Sequence, residues 1–162
     1  MKLLASALLL CFMFFPVSAV FAGGFWTTYT NGNYIDDIAV YDDYVWCATS
    51  GGIVRWNKHD KTYEKFVTVE NRPAIFTGVT VDRTGTLWFG SSSAIVSYKD
   101  GVWSDQYESN IFGYSTELSL VPDMDNVIWV GDTDTRYGIL SINGSTVERY
   151  SEQDGLVSNN VR

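Results

Sequence analysis

Seven residues carry the side chains best suited to hold a small molecule: Arg72, Phe112, Tyr114, Asp132, Asp134, Arg136 and Tyr137. Aromatic faces beside fixed donors and acceptors are what a sugar or another polar ring needs, an apolar plane plus directional hydrogen bonds. The competing reading is a ring packed beneath its own loop and a charge that is merely solvated. Two runs alternate oxygen side chains, "DTDT" from Asp132 to Thr135 and "DMDN" from Asp123 to Asn126. Calcium takes about six to eight oxygens, and neither run continues into the long loop with a terminal Glu that such sites use. Asp and Asn are ordinary turn formers, so "DMDN" is expected to be a structural turn. No metal and no cofactor is expected, with calcium at Asp132 and Asp134 left as an open alternative.

Catalysis finds little material. The one histidine, His59, stands in the charged stretch Asn57 to Lys61, so a Ser-His-Asp triad or a histidine metal site has little to build on. Asp36-Asp37 and Asp42-Asp43 are sequence neighbours, and strand alternation sends neighbours to opposite sides. No glycine-rich phosphate cradle follows a strand and opens a helix. These residues are expected to be non-catalytic, although segments outside them could supply reactive groups.

The elements that must position the candidate residues are repeated. Trp46, Trp88 and Trp129 lead three similar stretches, spaced 42 and 41 residues apart. In the middle copy "TGVTVD" alternates with period two, and "DRTG" suits a turn with Gly85 at positive φ. "TLWFG", "AIVSYK" and "VWSDQY" follow as strands, the last two joined by Asp100-Gly101 as a hairpin turn with φ > 0 at both positions. The first copy reads "IDDIAVY", "YVWCATS", "GIVRWN" and "TYEKFV"; the third reads "STELSLV", "VIWVG", "GILSI" and "TVERY", with Asn143-Gly144 as its hairpin turn. No stretch keeps a helical period. The fold class is all-β, a β-propeller of four-stranded antiparallel blades, about three of them, in an incomplete ring. Trp46, Trp88 and Trp129 are expected to fill the space between blades, and Trp26, Trp56 and Trp103 to pack on outer strands.

These blades resemble the two-component regulator propeller repeat, most clearly in "VTVDRTGTLWFGSSSAIVSYKDG" and "VWCATSGGIVRWNKHDKTYEKF"; "YSEQDGLVSNNVR" is similar to that family's blade junction. Ser91 to Ala94 lacks the glycine that Gly52 and Gly138 supply, and the third copy carries an insertion from Asp132 to Tyr137. The resemblance implies extracytoplasmic sensing. In that family the blades often precede an immunoglobulin-like domain, a membrane span and a cytoplasmic kinase or cyclase.

The ends give the domain plan. Residues 1–22 have the layout of a secretory signal peptide, with an uncleaved anchor as the competing reading. Residues 23–33 contain "FWTTY", which matches fourth-strand positions and is expected to close the ring from the outside. Blades follow at 34–70, 71–112 and 113–153, and 154–162 begins another. A terminus without a capping unit predicts an N-terminal piece of a longer protein, self-assembly being the alternative. Loss of Lys2 leaves ten basic against nineteen acidic residues, a surface that repels nucleic acid and anionic membrane. Cys47 alone then remains, expected as a buried thiol.

The expected function is an extracytoplasmic, periplasmic binding propeller, the sensor part of a longer two-component-type protein. Its partner would be a small molecule, a glycan or a protein, together with the missing blades of the same chain. It would meet the membrane only through a missing C-terminal region. The alternatives are a secreted scaffold without signalling output and a propeller lyase or hydrolase fragment. In a propeller, loops from fourth strand to first and from second to third gather on one face, where loops carry function on a rigid scaffold.

Overall fold

The computed structural model describes residues 32, 34–70, 72–91, 93–108, 117–132 and 138–161. Residues 1–22, expected as a signal peptide, and the "FWTTY" stretch lie outside them. Among the described residues no helix is long and apolar enough to cross a membrane.

Three four-stranded antiparallel sheets follow one another along the chain. The first holds β1 (Ile35–Tyr41), β2 (Tyr44–Thr49), β3 (Gly52–Asn57) and β4 (Tyr63–Phe66). A two-stranded ladder of β5 (Thr68–Val69) and β6 (Arg72–Pro73) leads to the second. That sheet holds β7 (Gly78–Val81), β8 (Leu87–Gly90), β9 (Ala94–Lys99) and β10 (Val102–Glu108). The third holds β11 (Leu118–Pro122), β12 (Ile128–Asp132), β13 (Ile139–Asn143) and β14 (Thr146–Tyr150), followed by a short 3-10 turn, Glu152–Asp154. Strand order in each sheet follows chain order, as alternating β-branched and aromatic runs with short turns require.

The turns are local chemistry. Asp100 and Gly101 take φ of 50° and 86°, the left-handed pair expected there. The third sheet differs from its expected turn by one residue. Asn143 pairs with Thr146, so Gly144-Ser145 makes the loop, and only Gly144 takes positive φ, at 56°. Asn143 keeps its place in the ladder because glycine needs no side-chain compensation at the first loop position.

The inner strands β1, β7 and β11 lie side by side, and the sheets pack face to face in an open array. Along each second strand, Trp46, Trp88 and Trp129 point to the same side of their own sheets. Trp46 is 2% exposed and meets Phe66, Phe89 and Tyr98 at 6.0, 5.9 and 4.9 Å between ring centroids. Trp103, on the outermost strand β10, reaches the same cluster through Tyr98 at 4.6 Å and Phe66 at 5.3 Å. Trp88 packs on the aliphatic core of Leu118, Leu120, Ile128, Val130, Leu140 and Ile142. Trp56 lies on the third strand rather than the outermost one, under Lys61 Nζ at 4.9 Å.

Candidate functional site

The antiparallel order places the turns between second and third strands at the same end as the connections between sheets, the end where the sequence puts a ligand. Arg72 sits in β6, paired with Val69. Asp132 closes β12, buried, and its carbonyl accepts the Val161 N–H at 3.0 Å. Phe112, Tyr114, Asp134, Arg136 and Tyr137 lie outside the described residues. Thr49, Ser91 and Asp132 share one position, just after the small residue Ala48, Gly90 or Gly131. Thr49 Oγ1 donates to the Gly52 carbonyl at 2.6 Å. Ser91 Oγ accepts the Ala94 N–H at 3.0 Å. In the first two sheets this side chain binds the turn after the second strand.

"DMDN" is a turn. Asp123 Oδ1 accepts the N–H groups of Asp125 and Val127 at 2.8 and 3.0 Å, and Oδ2 accepts the Trp129 indole N–H at 2.9 Å. Trp129 leads the donors that hold the Asp123 carboxyl below the usual range. Asp82 is held the same way by Thr84, Thr86 and Trp88. Burial pushes its carboxyl up, but those donors outweigh it and the net shift is downward. His59 Nε2, in the turn between β3 and β4, lies 2.8 Å from Asp43 Oδ1, in the turn between β1 and β2, and both side chains are well exposed.

The opposite end of the molecule holds a cleft of about 190 Å³ between the first and second sheets. Tyr41, Tyr44, Trp46 and Tyr98 supply its aromatic walls, and Asp42, Lys99 and Asp100 stand around it. Arg55, across the ladder from Trp46, lies 4.8 Å from the Tyr44 ring centroid and 5.5 Å from that of Trp46. Its guanidinium meets Glu64 at 2.5 Å and the Tyr98 hydroxyl at 3.4 Å. Sequence reading placed ligands at the other end and missed this cleft. One signal was present: Asp82 and Asp123 each stand six residues before a tryptophan, whereas Val40 stands there before Trp46.

No family model matches the sequence, and no curated protein matches it. Solved structures are similar in fold. Virginiamycin B lyase from Staphylococcus aureus superimposes with a TM-score of 0.56 at 18% identity, covering 72% of this chain and 40% of the lyase. The extracellular domain of the hybrid two-component system protein BT3049 from B. thetaiotaomicron gives a TM-score of 0.58 at 17% identity, covering 80% of this chain and 19% of that one. The corresponding domain of BT4673 gives 0.55 at 22% identity, over 76% and 17%. The chain thus spans two fifths or less of these proteins. At such identities the likeness establishes architecture alone: this chain is an open, all-β sector of propeller type, in a fold that serves lyases and sensor domains alike.

Proposed function

We propose that the chain is a non-catalytic, extracytoplasmic binding segment of a propeller, the sensor part of a longer two-component-type signalling protein. Its ligand is a small molecule or glycan, or a protein partner, and not a nucleic acid. The observation that carries the non-catalytic reading is the fate of three carboxylates, those of Asp37, Asp82 and Asp123. Asp82 and Asp123 are saturated by indole and backbone donors and held below the usual carboxylate range. Asp37 Oδ2 accepts the Val79 N–H at 2.9 Å, tying the first sheet to the second. A carboxylate committed to donors has no proton to give and is poorly disposed to take one, so it suits a scaffold better than a general acid or base. The single histidine, in an exposed outer turn, supports the same reading. The likeness to extracellular domains of two-component proteins supports an extracytoplasmic place and a sensing role.

The test is the coding DNA beyond the codon for Arg162 at the source locus. An in-frame continuation with further repeats of about 41 residues, a membrane span and a kinase or cyclase upholds the sensor. A stop codon there, or repeats ending without a membrane span, overturns it in favour of a secreted scaffold.

A further inference from the structure

We propose that the face of the third sheet that carries Trp129 binds a guanidinium group, which takes the place that Arg55 holds in the first sheet. The inference rests on the binding reading above and adds the ligand's chemistry. In each sheet three residues stand in line across the second, third and fourth strands. They are Trp46, Arg55 and Glu64 in the first sheet, and Trp88, Ser97 and Ser104 in the second. In the third they are Trp129, Ser141 and Glu148. The Arg55 guanidinium lies 5.5 Å from the Trp46 ring centroid and 2.5 Å from Glu64. The third sheet keeps the tryptophan and the glutamate and sets a serine between them.

That exchange leaves a groove of about 390 Å³ lined by Trp129, Ser141, Asn143, Glu148 and Tyr150, among others. The volume falls within the roughly 300–1,000 Å³ of small-molecule sites. Trp129 and Tyr150 are half-buried, with ring centroids 5.6 Å apart, so both offer a face to the groove.

Charge selects a cation. No Lys or Arg stands among the described residues that line the groove, and Glu148 makes it negative. Asp123 accepts the Trp129 indole N–H at 2.9 Å and adds a second negative charge at the edge of that ring. An electron-rich ring face attracts a cation, and these carboxylates repel an acid. Among the described residues no group of three His, Cys, Asp or Glu side chains could hold a metal ion, so the cation is organic. A guanidinium fits better than an ammonium because it is flat: it lies on a ring while its N–H fork meets a carboxylate edge-on. Glu148 Oε2 accepts the Tyr150 hydroxyl at 2.8 Å, which holds the carboxylate beside the rings. A free guanidine compound and the arginine side chain of a protein share this chemistry.

The experiment follows the indole N–H resonances of the 15N-labelled full chain, with the Trp129 peak assigned by its loss in Trp129→Phe. Methylguanidinium and a capped glycine-arginine-glycine peptide are titrated in, with methylurea and the citrulline peptide as their uncharged counterparts of the same shape. The expected result is a saturable shift of the Trp129 peak with at least one guanidinium probe, at least tenfold weaker with its counterpart, while the Trp46 and Trp88 peaks stay in place. Similar affinity for the two probes identifies a free guanidine compound; tenfold tighter binding of the peptide identifies a protein arginine. Glu148→Gln weakens the response tenfold or more. Ser141→Arg supplies the guanidinium from the chain itself and weakens it at least as much, with unmoved Trp46 and Trp88 peaks reporting an intact fold. A still Trp129 peak with both guanidinium probes, an equal response to the uncharged compounds, or unchanged affinity in either variant overturns the proposal. Failure here leaves the binding function standing if another ligand moves other resonances, and that function is judged separately by the coding sequence beyond Arg162.

Discussion

Asp82 accepts the indole N–H of Trp88 at 3.0 Å, across the turn that joins β7 to β8. The other carboxylate oxygen takes the backbone N–H groups of Thr84 and Thr86 and the Thr84 hydroxyl at 2.8, 3.0 and 2.7 Å. One side chain therefore shapes the turn and orients the tryptophan that packs against the third sheet. Local turn chemistry and packing between sheets are set by the same carboxylate.

Asp82→Asn keeps the shape but offers an amide N–H₂ where donors already converge. A loss of about 1–3 kcal/mol is expected at pH 7, the cost of leaving a buried donor unmet. The folded carboxyl lies below its ordinary value because hydrogen bonds outweigh burial. Its stabilisation is therefore complete above the unfolded pKa of about 3.9 and is lost as pH falls through the folded value. Urea melts of both proteins should converge as pH drops below about 4. A deficit that stays constant to pH 2 would refute the ionic account.

Gly85 and Gly101 separate strain from collision. Both take positive φ, 81° and 86°. A Cβ on Gly101 meets nothing within 4 Å, whereas a Cβ on Gly85 would collide with the Tyr41 hydroxyl. Gly101→Ala should cost about 1 kcal/mol, the left-handed penalty alone. Gly85→Ala should cost at least about 1 kcal/mol more, the scale of an overpacked contact. Replacing Tyr41 by Ala should remove only that excess in a double-mutant cycle read by thermal melts.

Strand types, the left-handed pair at Asp100-Gly101 and the place of Trp46 between sheets were legible because period-two alternation and turn residues act locally. The one-residue offset at Gly144-Ser145 was not, since "NG" offers glycine to two competing loops and only the pairing of Asn143 with Thr146 decides. The cleft was illegible for a different reason. Arg55, Tyr41 and Tyr98 come together only when two sheets stack, and composition carries no record of stacking. The absent aspartate before Trp46 was readable but had no meaning until Asp82 and Asp123 showed what it does.

Close approach of the second and third sheets depends on Gly78 and Gly90. A Cβ on Gly78 would collide with the Leu118 carbonyl, which is backbone and cannot swing away; one on Gly90 would sit 2.7 Å from Leu120 Cδ1, which can. Gly78→Ala should therefore cost about 3 kcal/mol or more, and Gly90→Ala about 1–2. Combined with Leu120→Val, Gly90→Ala should regain most of its loss, while Gly78→Ala, whose Cβ meets Leu120 Cδ1 as well, should keep the larger part that the Leu118 carbonyl imposes. Equal rescue of both in denaturant melts would show that side-chain crowding, and not backbone contact, sets the spacing.

Ile38, Val79 and Leu120 occupy the same register on their inner strands, opposite Cys47, Phe89 and Val130. Val79 and Leu120 are buried between sheets at 3% and 6% exposure, whereas Ile38 is 57% exposed, with Val40 beside it similarly open. Removing a buried aliphatic side chain costs about 2–5 kcal/mol, while an exposed one changes stability by about 0.5 kcal/mol or less. Val79→Ser and Leu120→Ser should therefore destabilise this chain strongly, and Ile38→Ser hardly at all. A comparable loss at Ile38 in equilibrium unfolding would mean that another element covers the first sheet's outer face in solution.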